Sequence, residues 1–181
     1  MKTSLRVFLA LIVLTLLGHI SHRAIAQIAN HVVISEVYGG GGNSGASWKN
    51  DFVELYNPTS SAIDLTGWSV QYSSATGSTW GTNPTALSGS IPAHGFYLVQ
   101  ELAGAGGTLD LPTPDATGII AMAAGAGKVA LVNSTTVLTG TDPHLDPSVV
   151  DFVGYGTTPN GFEGHVRTPS AAPASRWGRR R

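Results

Sequence analysis

The chain has 181 residues, no cysteine, 23 glycines and a near-balance of 10 Lys/Arg against 11 Asp/Glu. The length suits one domain. The missing cysteine excludes thiol nucleophiles, thiolate metal sites and a disulfide framework. Few helix-favouring charged residues and abundant glycine fit many short strands joined by turns.

Residues 1–26 read as a secretory signal peptide: Lys2 and Arg6, a short apolar run from Val7 to Leu17, then Ala24-Ile25-Ala26 as a cleavage signal. The apolar run falls short of the roughly 20 residues that span a bilayer. No transmembrane segment is expected once the leader is gone, and the product is expected outside the cell or in the periplasm. The leader holds three cations (Lys2, Arg6, Arg23) and no acid, so 7 cations remain against 11 acids, a net charge of −4. Five of those cations lie at or beyond Arg167, which leaves Lys49 and Lys128 to the body. So acidic a body repels phosphate backbones, and nucleic acid is not expected as its partner.

The predicted elements follow in order. "HVVISEVY" (His31–Tyr38) is a β-branched strand that runs into "GGGGNSG". Gly40, Gly42 and Gly45 have the spacing of a dinucleotide turn, but that turn requires a helix directly behind it. Only "ASWKN" precedes the next strand, and Ala46 stands where a P-loop needs lysine. The stretch reads as a mobile inter-strand loop with positive φ at several glycines. "DFVELYN" (Asp51–Asn57) alternates, with Phe52, Glu54 and Tyr56 on one side and Val53 and Leu55 on the other. Gly67–Tyr72, Thr85–Ile91 and Phe96–Glu101 are three further strands. Ala103–Gly118 reads as loop, Lys128–Asn133 and Val149–Tyr155 as strands, and Ile119–Met122 as an eighth strand paired across Gly125–Gly127. The sum is an antiparallel sandwich or barrel. Residues 167–181, Pro/Ala/Ser-rich and then basic, are expected to be disordered.

Candidate chemistry is sparse. Glu36 and Glu54 would approach if the first two strands pair, as an acid–base couple or metal ligands. The stronger reading is structural, as acids bonded to amides or a hydroxyl. "DPHLDP" offers Asp142, His144 and Asp146 at alternate positions, without the glycine turn and closing glutamate of a calcium loop. His31, His94, His144 and His165 fit no H-x-x-x-H pattern, and Ser88-Gly89-Ser90 lacks the flanks of a nucleophile elbow. Trp68 reads as a core residue. Trp48 and Trp80 lie in polar surroundings, where exposed rings stack on sugars or anchor a protein, or else cap the ends of the core.

The ordered blocks "VVISEVYGGGGNSG", "NDFVELYNPTSSAIDLTGWSVQY", "IPAHGFYLV", "KVALVN" and "VVDFVGYG" resemble the lamin tail domain in its bacterial secreted form, over about His31 to Gly164. The resemblance implies an immunoglobulin-like antiparallel β-sandwich of about seven to nine strands, without catalytic machinery and with no cofactor or metal. It implies framework roles for Glu36, Glu54, Asn57, Gly67 and Trp68 (turn geometry, buried hydrogen bonds and a core indole) and no ligand site. Related domains often adjoin secreted nuclease or phosphatase domains, and they often carry cysteines around the segments that here read "TGTDPH" and "TPNGF". The expected division is signal peptide 1–26, sandwich 27–166 and basic tail 167–181, the tail read as a truncated or frame-shifted end.

The expected function is a secreted, non-catalytic module for binding or tethering, the N-terminal part of a larger extracellular hydrolase, with a protein or surface ligand as partner. Two other classes stay open: a metal-dependent hydrolase using Glu36, Glu54 or Asp142–Asp146, and a carbohydrate-binding sandwich using Trp48 and Trp80. A weaker nucleic-acid reading rests on Arg176 and Arg179–Arg181.

Overall fold

The computed structural model describes residues 29–163. The expected leader and basic tail lie outside the described residues. Ten strands form among the described residues: β1 (Val33–Tyr38), β2 (Asn50–Tyr56), β3 (Ile63–Asp64), β4 (Ser69–Ser74), β5 (Thr85–Ala86), β6 (Ser90–Ile91), β7 (Phe96–Ala103), β8 (Ala116–Thr117), β9 (Gly127–Val132) and β10 (Val149–Tyr155). One sheet has the order β1-β2-β7-β8, the other β10-β9-β4-β5, and β3 and β6 make a small ribbon. All strand pairings among the described residues are antiparallel except β7 with β8, and the isolated bridge Trp48–Leu109 is parallel as well. No helix among the described residues is long and apolar enough to cross a membrane.

The main core lies between the sheets. Ile34, Val37, Val53, Leu55, Val99, Val129, Leu131 and Val153 meet there, all nearly inaccessible to water. A smaller cluster of Trp80, Ala130, Val132, Leu138 and Phe152 covers the outer face of the second sheet. This explains why β9 is buried along its whole length. Its even and odd side chains serve two different clusters, so the strand reads as a continuous apolar run instead of an alternating one.

Polar side chains fix the seams. β1 and β10 each carry a register shift, between Ile34 and Glu36 and between Val149 and Asp151. The shifts sit where the sheet edges face each other, and the Ile34 amide donates to Asp151 Oδ2 at 2.6 Å. Asp151 thus closes an edge that backbone pairing leaves open.

Several sequence expectations change in the structure. Thr85–Ile91 is not one strand. Gly89, at φ 73°, breaks it into β5 and β6, which join different sheets. Ile119–Met122 is not a strand. The nearby strand is β8, two residues long and parallel to β7, a pairing set by a distant partner and not by local propensity. The glycine stretch takes positive φ at Gly42 and Gly45, as expected, and its backbone is closely packed. Gly42 and Gly104 lie backbone to backbone: a Cβ on Gly42 would sit 2.1 Å from the Gly104 Cα. The Gly42 amide donates to Trp48 O, and the Gly106 amide to Gly42 O at 2.6 Å. These glycines permit a close approach that side chains would block.

Candidate functional site

Strand alternation places Asp51 on the same side of β2 as Val53 and Leu55, and Glu101 on the same side of β7 as Tyr97 and Val99. Two acids therefore point toward the interior. They are 4% and 1% exposed. Their partners are amides of the segment that follows β8 and, for Asp51, an amide of the glycine loop after β1. Asp51 Oδ2 accepts from Met122 N at 2.7 Å, and its Oδ1 accepts from Gly41 N at 2.8 Å. Glu101 Oε2 accepts from Ile120 N at 3.0 Å. Leu102 N donates to Ile120 O, and Tyr155 OH donates to Ala123 O at 2.7 Å. Segment 118–123 is thereby a strap, held by carboxylates and phenols in place of a strand ladder.

Burial pushes the Asp51 carboxyl up to about 6, against the pull of the Met122 and Gly41 amides. Burial likewise pushes Glu101 up to about 7, against the Thr85 hydroxyl and the Ile120 amide, while the nearby Asp51 charge adds to the rise. Desolvation dominates in both because no cation compensates the charge. Burial raises the Tyr155 hydroxyl as well.

The outer side of the strap forms one wall of a groove of about 210 Å³. Ile119, Ile120 and Ala121 face Trp80, Gly81, Thr82 and Asn83 across it, with Tyr72 also lining it. Ile119 is 64% exposed. The two acids lie beneath the strap, sealed from solvent. A general base must reach the proton it abstracts, and these carboxylates reach backbone amides. The arrangement holds a surface in shape.

The sequence candidates fall as follows. Glu36 and Glu54 are register partners, as the pairing of the first two strands required. Glu54 Oε1 accepts from Ser35 Oγ at 2.7 Å, which is the structural use. Asp142 pairs with His144 at 2.8 Å, whereas Asp146 turns back to Ser148, so the three do not converge. Among the described residues, no three His, Cys, Asp or Glu side chains group to hold a metal ion. Trp80 is not exposed: it is 2% accessible, and its indole N–H donates to Gly140 O at 3.0 Å. Trp48 is half-buried, with its backbone bridged to Leu109. Trp68 only borders the main core. Asn57 has the framework role: its Nδ2 donates to Ser61 O, Ile91 O and Pro92 O, and its Oδ1 accepts from Thr59.

The fold defines an immunoglobulin-like β-sandwich module. The family model described as Lamin Tail Domain matches residues 26–157. The chain belongs to the lamin tail domain family, a β-sandwich module consistent with a non-catalytic binding role. No curated protein matches the chain.

Proposed function

We propose that this chain is a secreted lamin-tail module that binds or tethers, and that it serves as the N-terminal part of a larger extracellular hydrolase. The observation that carries the binding role is the groove beside the strap. Its volume, about 210 Å³, lies below the roughly 300–1,000 Å³ of small-molecule pockets. It suits a few side chains of a protein or surface ligand. The basic and apolar leader supports secretion, and the family membership supports a module that works beside another domain.

The test is a secreted reporter enzyme fused behind residues 27–166. The fusion is expected to stay with the cell envelope, and Ile119→Asp in the groove wall is expected to release it to the medium. Equal partition of the reporter with and without the module refutes tethering. The same purified protein, assayed on phosphate mono- and diesters with added divalent cations, is expected to show no turnover. Turnover lost on Glu54→Gln would establish the hydrolase reading instead.

A further inference from the structure

Of the two lysines among the described residues, Lys49 is on the surface and paired with Asp110. Lys128 is fully inside, although it is the second residue of β9 and lies on the outer face of the second sheet. Its ammonium lies 5.6 Å from the centroid of the Trp80 ring. Three oxygens surround Nζ: Gly77 O at 2.7 Å, Thr141 O at 2.6 Å and Asn160 Oδ1 at 2.7 Å. A lysine has three N–H donors, and all three are engaged.

The third partner differs from the others, because a side-chain amide carbon is an electrophile. Asn160 is held firmly. Its backbone N–H donates to Ala75 O at 2.9 Å, and its Nδ2 donates to Thr76 O at 3.2 Å. With a C=O bond of about 1.23 Å, the contact puts Cγ about 3–4 Å from Nζ. Near-attack geometry for a bimolecular step begins at about 3–3.5 Å. An acid lies close enough for its charge to act on Lys128. Asp142 follows Thr141, and its Oδ1 lies 2.8 Å from where a Cβ on Gly161 would be. Asp142 Oδ1 is bonded to His144 Nδ1 at 2.8 Å, so a proton accepted there has an onward path.

We propose that Lys128 and Asn160 are a self-modifying pair that closes an intramolecular isopeptide bond. Lys128 Nζ attacks Asn160 Cγ, the Nζ–Cγ bond forms, and the Cγ–Nδ2 bond breaks. The ammonium Nζ gives up two protons, relayed through the Asp142 carboxylate to the departing Nδ2, which leaves as ammonium. One ammonium is consumed and one released, with no change in oxidation state and no co-reactant. Burial holds the Lys128 amine below the usual lysine range, opposed by the Asp142 charge, and so favours the neutral nucleophile. Asn160 is exposed on its other side, which gives the ammonium a way out. The product covalently ties β9 to the loop after β10.

The experiment is a tryptic digest of the denatured, purified full chain, read by mass spectrometry. Trypsin does not cut after an acylated lysine. The wild-type protein is expected to yield one peptide, Asn50–Arg167, uncut at Lys128 and lighter than its sequence by one ammonia. Asn160→Ala is expected to restore cleavage into Asn50–Lys128 and Val129–Arg167. Wild-type protein cut at Lys128 overturns the proposal. So does an ammonia deficit with Lys128 still cleavable, which marks a backbone succinimide at Asn160–Gly161. Asp142→Ala is expected to lower the cross-linked fraction at least tenfold at matched times after synthesis, and an unchanged fraction removes Asp142 from the mechanism.

Discussion

Replacing Glu101 by glutamine tests whether the strap is held at an electrostatic cost. The Glu101 carboxyl is pushed from an ordinary 4.5 up to about 7, chiefly by burial. A folded-state value above the unfolded one means that stability is fully present below pH 4.5 and is lost as pH rises through 7. That interval corresponds to roughly 3 kcal/mol at about 1.4 kcal/mol per pH unit. Asp51, raised to about 6, adds a loss of the same sign at slightly lower pH. Against a urea dependence of about 1–3 kcal/mol per molar, Glu101 alone shifts the unfolding midpoint by roughly 1–3 M. Urea unfolding at pH 5 and pH 8.5, followed by tryptophan fluorescence, reads this directly. The wild-type protein is expected to unfold at lower urea at pH 8.5. Glu101→Gln keeps an acceptor for Ile120 N and places an amide beside Thr85, with no charge to bury. Its midpoint is expected to vary much less with pH and to exceed that of the wild type at pH 8.5. Equal wild-type midpoints at the two pH values would show that the ionised carboxylate is solvated and that the strap is not sealed.

Core packing predicts that Leu131→Ala, at a fully buried position, costs about 2–5 kcal/mol in chemical denaturation, while Leu145→Ala, 84% exposed, changes stability by less than about 0.5 kcal/mol. Gly42→Ala puts a Cβ 2.1 Å from the Gly104 backbone at a φ of 69°, so it is expected to abolish folding or lower the melting temperature by more than about 10 °C.

The long strands were legible because β-branched runs carry their own signal. Phe96–Glu101 and Lys128–Asn133 fall within two residues of β7 and β9, and Val149–Tyr155 coincides with β10. The short strands were not. β8 is two residues long, and its partners Val99 and Gln100 lie on β7 across a long loop, so nothing local announces it. Ile119–Met122 looked like a strand because it is apolar. Its amides are held by Asp51 and Glu101, with Tyr155 on the next carbonyl, Ala123 O, and side-chain capture of that kind leaves no periodic trace. The site was half visible. The sequence drew attention to Glu36 and Glu54, which do pair, but the acids that shape the groove are Asp51 and Glu101. A signal for them existed: each shares the strand parity of its core residues, Val53 and Leu55 or Tyr97 and Val99. An acid in register with the core face must be paired, neutralised or bonded to amides.

The absence of cysteine bears on how the second cluster stays closed. The loops around Gly77, Thr141 and Asn160 come from three separate parts of the chain and meet over Trp80 and Phe152. Here Asp142 and Gly161 stand beside each other, with no thiol to join them. What joins the loops is Lys128, which reaches all three from inside the sheet. Its burial carries a desolvation cost that three oxygens must offset. A single amine thus bridges loops that a disulfide would link only in pairs, and its place against an amide carbon gives this chain its own chemistry for a permanent link.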